Sequence, residues 1–320
     1  MTTYAPGITV IVPTYKRVAD LQRCLAAIEL QRLAAAAVLI TYRPEDEETC
    51  AYLQSGTRPL QGAQLIRCDE PGVVYALNRA IDQVRNEFFA ITDDDSIPQV
   101  DWLERIVAHF RADPSAAGVG GRDHVYTDGK WLEGSAPVVG KLLWHGRTIG
   151  YHHLGAGGPR YVDMLKGVNM AFRTEAFQTG AFGALRLDTR LRGKGAQVGW
   201  ELQLSLALVA RGFKLIYDPA VLVEHFPGVR PKEEDRAYFN AGSHFDEHFN
   251  KTLILLEFLK TQPWGRLRQC AMLLYLGLRG SRKAPGLGML AVDLATRYPN
   301  TWARFRTTFA AYRAAIAAAR

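Results

Sequence analysis

Short apolar runs alternate with amphipathic segments along the first part of the chain. The runs are rich in β-branched and aromatic residues, which is typical of buried strands, and they lie at residues 8–12, 38–41, 65–67 and 88–92. Between the first two runs, Leu21, Leu25 and Ile28 recur at helical spacing, and residues 75–85 form a second helical pattern. This alternation predicts an α/β fold with a mostly parallel sheet covered by helices on both faces. Ligands of such sheets bind beyond the carboxyl ends of the strands.

Composition is that of an ordinary globular protein. The chain has 320 residues, of which 48% are hydrophobic and 22% are charged, enough for one large domain with an appendage. The cysteines are scattered without a paired short spacing, so the sequence predicts neither a zinc site nor a disulfide framework. Because the first residues lack a basic segment followed by a long apolar core, we expect a cytoplasmic protein.

The positive charge is concentrated at the end of the chain. Residues 260–320 contain eleven Lys and Arg and one acid, Asp293, a net charge of +10, whereas the other residues carry 28 bases and 31 acids, a net charge of −3. Two apolar stretches there, 271–278 and 287–295, are shorter than the ~20 residues of a membrane span. The sequence therefore predicts a domain over residues 1–230 and a basic, helical region over residues 231–320.

The last twenty residues predict an amphipathic helix with arginines beside its apolar stripe. The stripe consists of Trp302, Phe305, Phe309, Tyr312 and Ile316, and the arginines are Arg306, Arg313 and Arg320. Such a helix suits an anionic membrane surface, which predicts a peripheral location on the cytoplasmic face of the inner membrane. The alternative is a stripe that packs on the first domain or on a second subunit of a homo-oligomer. No recognised nucleic-acid module accompanies the charge, so a nucleic-acid partner is not expected.

Three consecutive acids, Asp93, Asp94 and Asp95, follow the fourth predicted strand. Their charges repel one another unless a cation lies between them. A divalent ion such as Mg²⁺ or Mn²⁺ takes carboxylate oxygens and shares its remaining positions with water and substrate phosphates. The triplet therefore indicates a metal and diphosphate site. The alternative is a solvated acidic cap at the start of a helix.

Five segments together resemble the family 2 glycosyltransferases of the bacterial surface-polysaccharide and glycolipid type. They are residues 10–17 (VIVPTYKR), 71–73 (PGV) with Asn78, 92–95 (TDDD), 166–173 (KGVNMAFR) and 199–206 (GWELQLSL). They follow the family's order with similar spacing. The resemblance implies the GT-A fold, a Rossmann-like nucleotide-binding sheet, with Mn²⁺ or Mg²⁺ as cofactor. It also implies inverting transfer of a sugar from a nucleotide-sugar donor to a hydroxyl of a glycan or lipid-linked acceptor.

The resemblance also assigns residues to the donor and to the metal. Residues implied to contact the nucleotide or its sugar are Pro13, Thr14, Tyr15, Arg17, Arg43, Asp69, Asn78, Asp93 and Asp94. Asp95 is the principal metal ligand, with Asp93 and His225 beside it. The run that ends at His225 contains Pro219, which predicts an edge strand. After the second strand the family usually has an acidic turn that holds uracil, but here the chain reads YRPED (residues 42–46). A UDP-sugar is the favoured donor, and because of this departure GDP- and dTDP-sugars are alternatives.

On the acceptor side, Glu201 is the candidate base, because inverting transfer requires a group that takes the proton of the acceptor hydroxyl. Trp200 is expected to offer an apolar face to a sugar, and the resemblance adds Gly167 and Asn169. The glycine-rich, cationic segment 185–199 suits a lid over the diphosphate, and equally a flexible surface loop with no role. Two other functions fit the sequence: a nucleotidyltransferase that makes activated sugars, and a non-catalytic scaffold at a membrane surface.

Overall fold

The computed structural model describes residues 4–56, 60–178, 184–228 and 239–319, which form two compact units. The first comprises Met1–Lys141, Ile149–Leu187 and Leu204–Gly228, and the second comprises Leu142–Thr148, Asp188–Gln203 and Val229–Arg320. The expected boundary at residue 230 lies outside the described residues. The second unit takes up two segments, 142–148 and 188–203, that the sequence grouped with the first domain.

The described part of the chain contains twelve strands. They are β1 (Ala5–Pro13), β2 (Ala37–Tyr42), β3 (Gln64–Arg67), β4 (Asn86–Ile91), β5 (Ser96–Pro98), β6 (Ala116–Thr127), β7 (Lys130–Trp131), β8 (Lys141–Leu142), β9 (Thr148–Ile149), β10 (Arg160–Val162), β11 (Met170–Arg173) and β12 (Lys214–His225). The main sheet has the order β10-β12-β6-β11-β4-β1-β2-β3, and β8 pairs with β9. β1 is parallel to β2 and β4, β2 to β3, and β6 to β12, whereas β11 is antiparallel to both of its neighbours. The predicted α/β class is therefore confirmed.

The helices are α1 (Val18–Glu29), α2 (Glu47–Gln54), α3 (Val73–Ile81), α4 (Trp102–Ala112), α5 (Glu175–Gln178), α6 (Trp200–Ala210), α7 (Ala241–Lys260), α8 (Gly265–Leu278), α9 (Leu287–Ala295) and α10 (Thr301–Ala318). A short 3₁₀ helix lies at His152–Leu154. The first three helices alternate with β1 to β4; α1 and α3 correspond to the two predicted helical patterns, whereas α2 was not predicted.

The core of the first unit forms around β1 and β4. Ile8, Val10 and Val12 of β1 pack with side chains of α1 and α4 in one cluster. Ile11 points to the opposite face of the strand and is also fully buried. Because both faces are covered, the strand reads as a continuous apolar run. Each such side chain contributes about 1.5–3 kcal/mol by its burial.

The expectation of an edge strand around Pro219 is wrong. β12 pairs with β10 and β6 in its first half and with β5 and β6 in its second half, so it is flanked on both sides. Pro219 lies where the register with β6 shifts between Asp218 and Leu222. An irregularity of this kind removes the need for a ladder hydrogen bond, which is why proline is tolerated there.

The second unit contains the helices α7 to α10. Ala311 and Ala315 of α10 pack against Phe249 and Leu253 of α7 in a small apolar cluster. The predicted aromatic stripe of α10 therefore lies beside the buried face and only partly within it, with Tyr312 6% exposed. Within the described residues, no helix combines the length and apolar character that crossing a bilayer requires.

Candidate active site

The acidic triplet lies at the carboxyl end of β4, next to the carboxyl end of β1. Because β1 and β4 are parallel neighbours, the loops that follow them meet at one edge of the sheet. A tight turn follows β4, in which the Ser96 amide and hydroxyl donate hydrogen bonds to the Asp93 carbonyl at 3.2 and 2.8 Å. The three carboxylates consequently have different environments.

Asp94, which the resemblance assigns to the donor, is buried in this structure. The residue is 4% exposed, and its carboxylate accepts hydrogen bonds from the Thr14 hydroxyl at 2.8 Å and from the Arg17 guanidinium at 3.1 Å. Burial raises the pKa of Asp94 to about 7, although the charge of Arg17 opposes this shift. Asp94 and Thr14 thus tie the loop after β1 to the loop after β4, and each oxygen of Asp94 already accepts a hydrogen bond.

Asp95 is buried but keeps its charge, in contrast to Asp94. Oδ2 accepts hydrogen bonds from Arg17 Nη1 at 2.8 Å and from the Gly228 amide at 3.0 Å. Oδ1 is buried, lies 3.4 Å from His225 Nε2 and makes no well-aligned hydrogen bond among the described residues. Burial raises the pKa of Asp95, but His225, the Gly228 amide and Arg17 outweigh it and lower that pKa to about 2. The carboxylate is therefore ionised at neutral pH.

Asp93, Asp95 and His225 come together at this edge. One ligand atom from each lies within 4.8 Å of the other two. Opposite ligands of a divalent ion with bonds of about 2 Å are about 4 Å apart, so the three side chains fit around one ion after small movements. The poorly partnered Asp95 Oδ1 favours such an ion, and two carboxylates with one imidazole form a donor set that suits Mn²⁺.

A buried ion pair lies behind the histidine. Asp123, which is 0% exposed, contacts the Lys166 ammonium, and its Oδ2 lies 3.7 Å from His225 Nδ1. Burial lowers the pKa of His225, but the hydrogen bonds and charges of Asp123 and Asp95 raise it to about 9. The same carboxylates that hold a proton on the imidazole attract a divalent cation. Sequence reasoning missed this pair, because Asp123 lies within a strand with no motif around it.

The loops after β1 and β2 are joined by Asp46, a residue that sequence reasoning noticed only as a departure from the family. Asp46 is 3% exposed, accepts a hydrogen bond from the Thr49 amide at the start of α2 at 3.2 Å, and accepts another from the Lys16 amide. Lys16 adopts a φ of 56°, which turns the chain away from β1. Asp46 is thus structural, and its carboxylate is not free to bind a base.

The remaining predicted donor residues lie at the same edge with different exposure. Pro13 ends β1, and Tyr15 follows it with 45% of its surface exposed. Arg43 pairs with Glu45 after β2, and Asp69 accepts a hydrogen bond from Arg67 at 2.8 Å after β3. These exposed or half-buried side chains remain available to a ligand.

Two predicted asparagines have structural partners. The Asn78 amide exchanges two hydrogen bonds of 2.9 Å with the backbone of Leu187. Asn169 is 1% exposed, accepts a hydrogen bond from Trp102 Nε1 at 2.8 Å and donates to the carbonyls of Arg122 and Val221 at 3.1 and 2.8 Å. The Asn169 amide therefore holds strands together and has no donor left for a sugar.

The segment before α6 is anchored within the second unit. Asn250 of α7 bonds both backbone groups of Arg192 and the Val198 carbonyl, and Arg190 pairs with Asp188 and Glu257. The lid over residues 185–199 stays a prediction; in this structure the backbone of Arg192, the Val198 carbonyl and the Arg190 side chain have partners within the second unit.

The predicted acceptor residues differ in exposure. Gly167 is buried in the turn closed by the Asn169 amide and the Lys166 carbonyl at 3.0 Å. Trp200 is 6% exposed, so it does not offer the open apolar face that was expected. Glu201 lies in the first turn of α6 and is half-buried.

An aromatic cluster that the sequence did not indicate lies at the end of β6 and β12. Trp131 stacks on His124 with ring centroids 4.2 Å apart and meets Tyr126 and Phe226 at 5.1 and 5.6 Å. The Phe226 amide donates a hydrogen bond to the Asp95 carbonyl at 2.9 Å. The cluster therefore adjoins the acidic edge.

Comparison with known proteins supports one family. A family model described as glycosyltransferase like family 2 matches residues 6–240. The glycosyltransferase AglE of Haloferax volcanii is 28% identical over 111 residues, which is 34% of this chain and 36% of that relative, so the matched part is about a third of the relative's length. The mannosyltransferase PcManGT of Pyrobaculum calidifontis, solved in complex with GDP-Man and Mn²⁺, aligns over 99% of this chain and 88% of that chain with a TM-score of 0.51 and 17% identity. The structural likeness is one of fold.

Proposed function

Because the chain belongs to glycosyltransferase family 2 and has the GT-A fold, we propose that it is a metal-dependent enzyme that transfers a sugar from a nucleoside-diphosphate donor with inversion. The observation that carries the proposal is the meeting of Asp93, Asp95 and His225 from two separate parts of the chain. The family match sets aside the nucleotidyltransferase alternative. Donor turnover distinguishes a glycosyltransferase from the alternative of a non-catalytic scaffold.

The metal site is assigned to residues of the first unit. Asp93, Asp95 and His225 would hold Mn²⁺ or Mg²⁺, and the bound ion would neutralise the departing diphosphate. Arg17 lies within 2.8 Å of Asp95 and supplies a second positive charge at the same edge. Tyr15 and Asp69 are exposed at the loops where a nucleotide would lie, so they remain candidates for contact with the base.

The base is assigned to Glu201, which is half-buried in the first turn of α6. Its carboxylate would take the proton of the acceptor hydroxyl while that oxygen attacks the anomeric carbon and the diphosphate leaves. Direct displacement reverses the anomeric configuration and forms no covalent enzyme intermediate. We assign the acceptor to a hydroxyl of a glycan or a lipid-linked sugar.

We propose two candidate donor nucleotides: UDP, the expectation from the sequence, and GDP, which is part of the GDP-Man bound to the Pyrobaculum calidifontis enzyme. Asp46 caps α2 and so does not act as a uracil ligand. A thermal-shift screen of UDP-, GDP- and dTDP-sugars with Mn²⁺ identifies the donor, since a specific ligand stabilises the folded state by mass action.

Donor turnover tests the proposal. We expect activity with Mn²⁺ that EDTA abolishes, and a product of inverted configuration by NMR. Asp95→Asn and His225→Gln should lower the rate at least about tenfold, and Glu201→Gln about 100-fold. The control is Asp128→Asn, an exposed acid on the turn between β6 and β7. Equal turnover in EDTA would refute the metal, retention would refute direct displacement, and absence of turnover with every donor would favour the scaffold.

A further inference from the structure

The second unit exposes a row of leucines on two neighbouring helices. This outer leucine face consists of Leu267, Leu274 and Leu278 of α8 and Leu287 and Leu294 of α9, and each is between 54% and 61% exposed. On α8 the three residues follow one another by seven and four positions, so they lie on one side of the helix. Met272, on the opposite side, is fully buried. Large apolar side chains grouped in this way mark an interaction surface.

The aromatic stripe of α10 is a weaker candidate than the sequence suggested. Tyr312 is buried, and the rings of Phe305 and Phe309 are half-buried with centroids 4.5 Å apart. Of the large apolar side chains in the stripe, Trp302 is the one that is more than half exposed. Most side chains of the stripe are therefore buried or half-buried within the second unit, and more of the exposed leucine surface belongs to α8 and α9.

The exposed charged side chains of residues 260–320, the segment that carries the outer leucine face, have one sign. Arg279, Arg282 and Lys283 are exposed on the connection between α8 and α9, and Arg266 is exposed at the start of α8. The one acid of residues 260–320, Asp293, is 0% exposed. The described surface of this segment thus presents cations and leucines without an exposed carboxylate.

We propose that the outer leucine face binds the surface of an anionic lipid bilayer. The leucines would enter the boundary between headgroups and acyl chains, and the neighbouring arginines and lysine would contact lipid phosphates. A second copy of the chain is a poor occupant, because two surfaces with the same positive charge repel each other. Nucleic acid is also a poor occupant, because exposed aliphatic leucines add nothing to phosphate or base recognition.

Vesicle sedimentation of the full chain tests the leucines. We expect binding to vesicles of phosphatidylcholine with phosphatidylglycerol, and little binding to phosphatidylcholine alone. The triple variant Leu274→Ser, Leu278→Ser, Leu287→Ser should bind at least about tenfold more weakly, since each serine loses most of a buried leucine's transfer energy. The control is Leu30→Ser, which changes a 72% exposed leucine of the first unit. Circular dichroism of each variant shows that the fold is retained.

A charge variant distinguishes binding to anionic lipid from non-specific hydrophobic adsorption. Arg266→Gln, Arg279→Gln and Lys283→Gln together should weaken binding to anionic vesicles by about 100-fold, roughly fivefold for each cation removed; Arg282 is kept because it pairs with the buried Asp293 at 3.7 Å. The control is Arg67→Gln, an exposed arginine of the first unit. Equal binding to neutral vesicles, or unchanged binding of the leucine variant, would overturn the proposal. So would a wild-type dimer that the leucine variant converts to a monomer, because a second copy would then cover the face.

A separate observation concerns the buried pair behind His225. Asp123 is fully buried, is fixed by Lys166, and faces His225 Nδ1 at 3.7 Å, while His225 Nε2 faces Asp95. Carboxylates in this position receive the second ring N–H of a metal-bound histidine and so fix its tautomer. We infer that Asp123 is a positioning residue that presents Nε2 to the metal assigned under the proposed function.

Metal binding and the histidine tautomer test this role without relying on turnover. Asp123→Asn keeps the shape of the side chain and removes its charge, and it should weaken Mn²⁺ binding about 10- to 100-fold in an EPR titration. It should also change the ¹⁵N pattern of His225 in the Zn²⁺-loaded protein. Asp128→Asn is the control. Should the Asn variant not fold, Lys166→Met, which frees Asp123 from its partner, provides the second measurement.

The outcomes separate the role of Asp123 from the metal site itself. Unchanged Mn²⁺ affinity and an unchanged tautomer in a folded Asp123 variant would overturn the role of Asp123 and leave the metal site standing. If the wild-type protein binds no Mn²⁺, the proposed function fails first.

Discussion

Asn250 gives the sharpest prediction of stability, because one buried side chain holds a whole segment. Its Oδ1 accepts a hydrogen bond from the Arg192 amide at 2.7 Å, and its Nδ2 donates to the carbonyls of Arg192 and Val198 at 2.8 and 2.9 Å. The residue is 0% exposed. Asn250→Ala removes the three bonds together and leaves their backbone partners without them.

The magnitude follows from the three bonds. At about 1 kcal/mol each, the free energy of unfolding of the second unit should fall by about 3 kcal/mol. For a chain of 320 residues, an unfolding entropy of about 2.1 cal/mol/K per residue converts this loss into a midpoint about 4–5 °C lower. Asn250→Asp should be no better than Ala, since one oxygen can still accept from the Arg192 amide but the other faces two carbonyl oxygens.

Thermal unfolding and hydrogen exchange provide the assay. We expect the Arg192 amide to exchange faster in Asn250→Ala, because its acceptor is gone. The matched control is Gln262→Ala, which removes an amide side chain of the same unit whose exposed hydrogen bond to Thr261 is 3.2 Å. A midpoint within a degree of the wild type, with unchanged exchange at Arg192, would refute the view that Asn250 anchors the segment.

Three further predictions concern stability. Burial lowers the pKa of His152 and of His248 to about 4, below the ordinary value near 6.5, so the unfolded chain binds protons more tightly than the folded chain. The free energy of unfolding should therefore be at its maximum above pH 6.5 and fall by up to about 3 kcal/mol per histidine as the pH drops toward 4. A urea-unfolding free energy that stays flat between pH 7 and 4.5 would contradict this. Gly121→Ala would place a Cβ 1.7 Å from a carbonyl oxygen of the neighbouring strand, so it should lower the free energy of unfolding by more than about 3 kcal/mol or abolish soluble expression. The control is Gly62→Ala, whose Cβ would have no atom within 4 Å and which should be as stable as the wild type. Trp102→Phe loses a buried 2.8 Å hydrogen bond and should lower the unfolding free energy by about 2–3 kcal/mol in denaturant titrations; a change under 0.5 kcal/mol would show that the bond contributes little.

Much of the first unit could be predicted because its strands are buried on both faces. The runs at 8–12 and 88–92 are apolar throughout, and β1 and β4 lie where the sequence placed them. The end of the fourth run also located the acidic triplet at a sheet edge. The local sequence pattern was enough here, because a strand that is buried on both faces appears in the sequence as a short, continuous apolar run.

Local pattern did not suffice where partners come from distant residues. Nothing in the sequence shows that Asp94 turns inward to Thr14 and Arg17 while Asp95 receives the Gly228 amide. The edge-strand prediction for Pro219 failed for the same reason, since the register shift that accommodates proline depends on the neighbouring strand.

The sequence by itself determined the alternation of strands and helices, the position of the carboxylates after β4 and the basic character of residues 260–320, because these follow from the order and spacing of residue types. Tertiary structure alone decided which carboxylates are buried, that His225 lies beside Asp95, that Asp123 and Lys166 stand behind it, and that leucines of α8 and α9 remain exposed. The physical reason is that charge, pKa and exposure depend on the groups within a few ångströms, and those groups come from segments far apart in the chain.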